Sequence, residues 1–414
     1  MLNVVNISKK DKVGRRFNNY DIRDKLVEFG INSSFICWQE TDQDSYAVSA
    51  SNKIMRFFTN AIAKLGRYTG NLNGYHSNSS AIKQLPYYQQ SNLIHFHIVH
   101  EEFLSVKDWL NLAEDKPVVW TWHDPFMMNG HCIYSLGCDG FETGCKSCPH
   151  LDYHFPIRID RSGNNLEEKK NALKLIDPLV IVSSQYMKDL IDRSVYKDFL
   201  RVKLLPFGIE HTQSITQEAA KNNLNIPDGN VVVGFRAVYS DYKGIGLIKR
   251  ALSDFARKHP NFNLTIIYFQ EQNFLSDISS KFQIIQPGWI EGSEIHKYYA
   301  AMDFFLMPSR AEAFGLMAVE ALLSGALPLV TSGSALEDIV NAPVYGLSSL
   351  HEADEYSWMV EKTILNAGYY STKRGDRREY AIKRYNINDF CQKLANIYNE
   401  EYEYHISNRR SARY

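Results

Sequence analysis

The sequence predicts an α/β protein made of two successive doubly wound domains, each a parallel sheet with helices on both faces. Three observations carry that expectation. The chain has 414 residues, 44% of them hydrophobic, enough for two or three domains with cores of their own. Short apolar runs rich in β-branched and aromatic residues alternate with amphipathic stretches almost from end to end, the pattern of repeated βαβ units. The alternation lapses once, in a polar stretch near 212–230 containing Pro227, Asp228 and Gly229, and then resumes.

Taken in order, the first strand is LNVVNIS (2–8), followed by the helical pattern NNYDIRDKLVEFG, which stops at Gly30. SSFICW (33–38), NLIHFHIV (92–99), PVVWTW (117–122) and LVIVSS (179–184) are continuous apolar runs of strand length. SQYMKDLID is the next helix, and VKLLPFGIE (202–210) brings the first alternation to its end. The second set comprises VVVGFRAV (231–238), the helix GIGLIKRALSDFARKHP (244–260), NLTIIYF (263–269), FQIIQPGWI (282–290) and DFFLMPS (303–309). A helix beginning near Ala313 and the strand ALPLVTS (326–332) complete it. With the polar stretch as interdomain connection, the domains are 1–211 and 212–385. The helix NINDFCQKLANIYNEEY, in segment 386–414, is expected to cross back to the first domain before a basic tail. Two such domains in succession imply a ligand cleft between the carboxyl ends of their strands.

Charge and hydropathy exclude several roles. The 46 Lys and Arg balance 47 Asp and Glu, so the basic excess of a nucleic-acid binder is missing. MLNVVNISKK lacks the basic start and apolar run of a signal peptide, and no run of about 18 apolar residues exists to span a membrane. A cytosolic location with reduced thiols is the expectation. The 25 Tyr residues suit carbohydrate contacts.

The densest chemistry lies in MPSRAEAFGLMAVEALLSGALPLVTS, residues 307–332. Glu312 and Glu320 are eight residues apart, about 12 Å of rise if helical. Two carboxylates so spaced can hold two separate sets of hydroxyls on one extended ligand. The amides of Phe314, Gly315 and Leu316 lie at a helix N-terminus, where unpaired N–H groups and the dipole favour an anion such as diphosphate. The same spacing also fits an amphipathic helix with one solvated and one capping glutamate.

The Glu-x7-Glu segment, entered from a Pro-Ser strand end and followed by Ser-Gly-Ala-x-Pro, resembles the retaining GT-B glycosyltransferases of family 4. Arg236 and Lys243 in GFRAVYSDYKG, LPFGIE at 205–210, the His-Asp step in WTWHDPF (120–126) and VGRRF (13–17) extend the resemblance over about residues 1–400. It implies two Rossmann-like domains and transfer of a hexosyl unit from a UDP- or GDP-sugar. The implied acceptor is a saccharide, polyprenyl-diphosphate-linked in surface polysaccharide or O-antigen synthesis. By that resemblance Glu320 binds the nucleotide ribose, Glu312 binds the donor sugar, and Arg236 and Lys243 stabilise the leaving diphosphate. Gly14 belongs to the first donor loop, His123 positions donor or acceptor, and no metal is required for catalysis. Two alternatives stay open at this level: a sugar phosphorylase or nucleotide-sugar epimerase on the same fold, and a zinc-module binding protein.

Four of the six cysteines fall within GHCIYSLGCDGFETGCKSCPH (130–150), as Cys132, Cys138, Cys145 and Cys148. Four thiolates satisfy tetrahedral zinc, and the closing C-x2-C suits a metal knuckle. Reduced free thiols are the other reading, and His131 or His150 can replace one sulfur. Asp42-Gln43-Asp44 reads as a solvated turn rather than a metal–diphosphate motif. HFHIVH (95–100) reads as buried or cleft-lining histidines rather than a metal pair. NKIMRFFTNAIAKLGRY (52–68) has an apolar stripe and four basic residues. It is either a helix covering the first sheet or one that rests peripherally on an anionic membrane.

Overall fold

A computed structural model describes residues 1–11, 19–40, 46–99, 103–153, 155–210, 215–240, 242–270, 273–278, 280–288, 290 and 294–411, with side chains to 408. The chain divides into two compact units. The first is Met1–Ile209 with Ile387–Tyr414, and the second is Glu210–Asn386.

Among the described residues the first unit has seven strands: β1 Leu2–Lys10, β2 Ile31–Gln39, β3 Val48–Ser49, β4 Leu93–Phe96, β5 Val118–Trp122, β6 Leu179–Val182 and β7 Arg201–Leu204. They form one parallel sheet in the order β3-β2-β1-β4-β5-β6-β7. β4, β5 and β6 are buried along their whole length, as expected of central parallel strands covered on both faces. The final helix, Ile387–Ser411, groups with this unit. Its Tyr398 hydroxyl lies 2.6 Å from His95 Nδ1, and Glu401 takes both ends of the Arg201 guanidinium at 2.7 and 2.9 Å.

The second unit holds β8 Val231–Ala237, β9 Leu264–Gln270, β10 Gln283–Ile285, β11 Phe304–Met307, β12 Leu327–Thr331 and β13 Leu347–Ser349. Their order is β10-β9-β8-β11-β12-β13, again all parallel. Val233, Phe235, Ile266, Phe304, Leu306 and Leu329 pack on one face against the Ile245–Lys258 helix and its neighbours.

The structure adds three details to the sequence pattern. β3 and β13 have two and three residues, too few to leave a periodic signal. The run 92–99 stops being a strand after Phe96. The polar stretch near 212–230 contains the helix Gln217–Asn223, capped by the Thr216 side chain on the Ala219 amide. Ala220 and Ile226 from this stretch enter the core, and Lys221 pairs with Asp303 at 3.1 Å. A short helix anchored by two apolar side chains and an ion pair looks like a linker by composition alone.

Candidate functional site

In the second sheet β8 and β11 are neighbours, and the chain proceeds from them in opposite directions, to β9 and β10 on one side and β12 and β13 on the other. Ligands of open α/β sheets bind beyond the carboxyl ends of such a pair. The loop after β8 carries Lys243 and the loop after β11 carries Glu312. Lys243 Nζ donates to Glu312 Oε1, and the two side chains are 29% and 12% exposed. The backbone holds the loops together as well: the Arg310 amide donates to the Tyr242 carbonyl at 2.8 Å. Gly244 is left-handed (φ 67°), and any Cβ there would overlap the Pro308 carbonyl oxygen. Ala335 N–H donates to the Glu312 carbonyl at 3.1 Å, fixing the residue from its other side.

The helix after Glu312 runs Leu316–Leu323, with Gly315 at its N-cap in a left-handed conformation (φ 93°). It therefore starts three residues later than a start at Ala313, because Gly315 cannot continue a right-handed helix at that φ. Phe314, just before it, is buried edge-on against Tyr385. The leading amides of the helix thus follow directly on Glu312, and Glu320 lies on its second turn, 7% exposed. Arg236 is not drawn to this group. It is the penultimate residue of β8, with an exposed side chain that donates to Gln270 Oε1 at the end of β9.

Two further residues were missed in the sequence. A cavity of about 630 Å3 beside the Lys243 loop is lined by Tyr239, Ser240, Gly244, Leu247, Arg250 and His351. Burial, then the Arg310 charge, pushes the His351 imidazole below its usual range, and its Nδ1 lies 3.4 Å from Thr331 Oγ1. His351 follows β13, whose three residues gave no pattern. Arg310 is inside the quoted motif, but nothing in spacing separates it from a solvated arginine.

His123 belongs to the first unit, directly after β5. Asp124 caps the turn that follows, accepting from the Phe126 amide at 2.9 Å. The His123 ring stacks on Phe207 at 5.6 Å, and its Nε2 lies 3.2 Å from His97 Nδ1. His97 continues to Asn6 Oδ1 at 3.0 Å, and Asn19 Nδ2 lies within 3.2 Å of Asn6 Oδ1, His95 Nδ1 and the Tyr398 hydroxyl. His95 and His97 are thus buried members of a polar network behind His123. Burial, aided by His123, holds His95 well below its usual pKa.

That shift fixes a sign. Between the depressed folded value and the ordinary 6.5, the unfolded chain binds more protons at His95, so stability falls as pH drops below about 6.5. His95→Gln should flatten that part of the acid dependence, read as the change in urea midpoint between neutral and mildly acidic buffer. An unchanged slope would remove His95 as its source.

All six cysteines are free thiols. Among the described residues no three His, Cys, Asp or Glu side chains form a ready metal cage. The thiols are nonetheless neighbours. Burial and the proximity of Cys145, Cys148 and Cys138 push the Cys132 thiol up to about 12. Cys145 Sγ accepts from the Gly130 amide and Cys138 Sγ from the Gly140 amide, each at 3.4 Å. His131 Nε2 donates to the Phe155 carbonyl at 2.7 Å, which leaves Nδ1 as the acceptor facing Cys148 Sγ at 3.5 Å. Lys169 anchors the loop through the carbonyls of Phe126 and Asn129 at 3.0 and 2.8 Å. Gly14 and Asp42-Gln43-Asp44 lie outside the described residues.

Comparison with known proteins bears on the same segments. Residues 216–386 match the family "Glycosyl transferases group 1". The putative colanic acid biosynthesis glycosyl transferase WcaC of Escherichia coli is 33% identical over 89 residues, 20% of this chain and 22% of that protein's length. Sucrose-phosphate synthase from Thermosynechococcus elongatus superposes with a TM-score of 0.70 at 15% identity, covering 97% of this chain and 99% of the other. Anabaena HepE, solved with UDP-glucose, superposes with a TM-score of 0.63 at 16% identity over 97% and 100% of the two chains.

Proposed function

We propose that this chain, whose residues 216–386 match the group 1 glycosyltransferases and whose fold is that of GT-B glycosyltransferase structures, moves a hexosyl unit from a nucleotide sugar to a saccharide acceptor. The proposed reaction retains anomeric configuration, and the acceptor is a lipid-linked saccharide of surface polysaccharide synthesis. One observation carries the reading: Lys243 and Glu312 are paired beyond the ends of β8 and β11, with Glu312 three residues before the left-handed N-cap of the Leu316–Leu323 helix.

The chemistry follows from charge. As the bond from anomeric carbon to diphosphate oxygen breaks, negative charge grows on the leaving phosphate. A preorganised ammonium and the unpaired amides of a helix start stabilise that charge where it appears. Lys243 and the amides of Gly315 and Leu316 take this role, with Arg236 turning in from Gln270. Glu312 accepts from donor-sugar hydroxyls, and Glu320 accepts from the ribose. His123 is assigned to positioning the sugar or the acceptor. The acceptor hydroxyl attacks the face the diphosphate leaves, its proton passing to a leaving phosphate oxygen. No protein nucleophile or metal is needed in that scheme.

The test is incubation with a panel of UDP- and GDP-sugars, following release of free nucleoside diphosphate with and without saccharide acceptor. Slow release from one donor, accelerated by acceptor, is expected. No release from any donor, with the protein folded, overturns the assignment.

The cysteine segment is assigned a structural zinc ion held by Cys132, Cys138, Cys145 and Cys148, with His131 Nδ1 as an alternative ligand. Support comes from the donor set: four reduced thiols, two accepting backbone amides, and an imidazole whose other nitrogen is already oriented by a carbonyl. The ion would staple residues 130–150 and take no part in transfer. Metal analysis of purified protein should find about one zinc per chain. A stoichiometry far below that, in protein with all thiols reduced, ends the proposal.

A further inference from the structure

One fixed amide sets the hydrogen-bond directions in the buried network behind His123. The Asn6 side chain is 2% exposed, and its two ends face different partners. One end lies 3.2 Å from the Ser34 carbonyl and 2.8 Å from Ser33 Oγ. A carbonyl only accepts, so this end is the NH2 group. The other end is Oδ1, an acceptor, with Asn19 Nδ2 at 3.2 Å and His97 Nε2 at 3.0 Å. Reversing the amide would set its oxygen against the Ser34 carbonyl and its NH2 group against that of Asn19.

The direction propagates. His97 gives its Nε2 proton to Asn6 Oδ1, which in the neutral ring leaves a lone pair on Nδ1. That lone pair faces His123 Nε2 at 3.2 Å, so Nε2 is where a neutral His123 carries its proton. The His123 ring plane is set as well, lying within 13° of the Phe207 ring on which it stacks. Through Nδ1, this tautomer of His123 accepts a hydrogen bond and cannot donate one. A hydroxyl suits that nitrogen, whereas a carboxylate or phosphate oxygen does not. Asn6 and Ser34 lie on the neighbouring strands β1 and β2, and His97 directly follows β4. The sheet itself therefore holds the relay in register.

We infer that Asn6 and His97 are positioning residues that fix the tautomer of His123, with its proton on Nε2 and Nδ1 kept as an acceptor for a sugar hydroxyl. Neither residue touches substrate in this role, and both act through His123. The inference rests on the proposed placing of His123 against the donor sugar or the acceptor. It makes Asn6→Asp an informative change of nearly constant volume. A carboxylate there favours the His97 imidazolium. The Nδ1–H of that imidazolium donates to His123 Nε2, which moves the His123 proton to Nδ1.

The experiment is nitrogen NMR of the full chain with isotope-labelled histidine rings at mildly alkaline pH, where the two neutral tautomers have distinct shifts. The His123 signals are assigned by their loss in His123→Ala. Nε2–H is expected at His123 in the wild-type chain, and Nδ1–H in Asn6→Asp. Turnover of the preferred nucleotide sugar should fall about tenfold in Asn6→Asp. The same change made in His123→Ala should cost less than about twofold, because Asn6 acts only through that ring. Nδ1–H or an imidazolium at His123 in the wild-type chain overturns the inference, whether or not Asn6→Asp folds. So does an equal loss of turnover from Asn6→Asp with and without His123, the mark of a merely structural role. Wild-type turnover in His123→Ala is a separate failure, that of the proposed role of His123, and the tautomer still decides the hydrogen-bond directions.

Discussion

Lys243→Ala is expected to lower turnover of the preferred nucleotide sugar by about 10²–10³-fold, the range for removing one preorganised donor from a developing anion. The loss should fall mainly on kcat, because the ammonium matters most once the diphosphate is leaving. Glu312 is 12% exposed and pairs with this ammonium, so Lys243→Ala also strands a mostly buried carboxylate. Lys243→Arg keeps the charge but exchanges a compact ammonium for a planar fork, and should recover only part of the rate. Glu312→Gln should cut turnover comparably while leaving affinity for free nucleoside diphosphate close to wild type, because Glu312 is assigned to the sugar. Initial rates of nucleoside diphosphate release, with a binding isotherm for free nucleotide, separate the two roles. Wild-type rates in Lys243→Ala and Glu312→Gln would refute the assigned site while leaving the fold untouched.

Gly244→Ala is expected to be the most damaging single methyl group in the second unit's site. The added Cβ meets the Pro308 carbonyl, a backbone atom that cannot swing away as a side-chain end can. A left-handed φ of 67° adds its own penalty for any residue with a Cβ. Together these should destabilise the unit by about 2 kcal/mol or more and separate the Lys243 loop from the Glu312 loop. Nucleotide affinity should fall with the melting temperature. Gly246→Ala, two residues on, meets nothing within 4 Å and is the matched control. Equal stability of the two variants would show that the loops do not meet at Gly244.

Much of this molecule was legible in its sequence because its strands are buried on both faces. LVIV at β6 and VVWTW at β5 can be little else. The Glu-x7-Glu segment was legible for a related reason: strand end, turn and helix start are contiguous, so a local pattern contains the whole motif. Helix Gln217–Asn223 was not, since two buried apolar residues among polar ones are too few to set a period.

Sequence alone determined the two parallel sheets, the carboxylates at 312 and 320, the grouping of four cysteines and the amphipathic character of residues 52–68. Tertiary structure decided which of these meet. The distance in sequence from Lys243 to Glu312 says nothing about their pairing. It follows from β8 lying beside β11, a choice of strand order set by long-range packing. His95 and Tyr398 are 303 residues apart and touch only because the last helix returns to the first unit. The direction of the stripe on the Lys53–Thr69 helix is of the same kind. Periodicity defines an apolar face, but the burial of Thr59, Ala63 and Gly66 turns it outward. A one-dimensional pattern fixes which side chains share a face, and only the partner surface fixes where that face points.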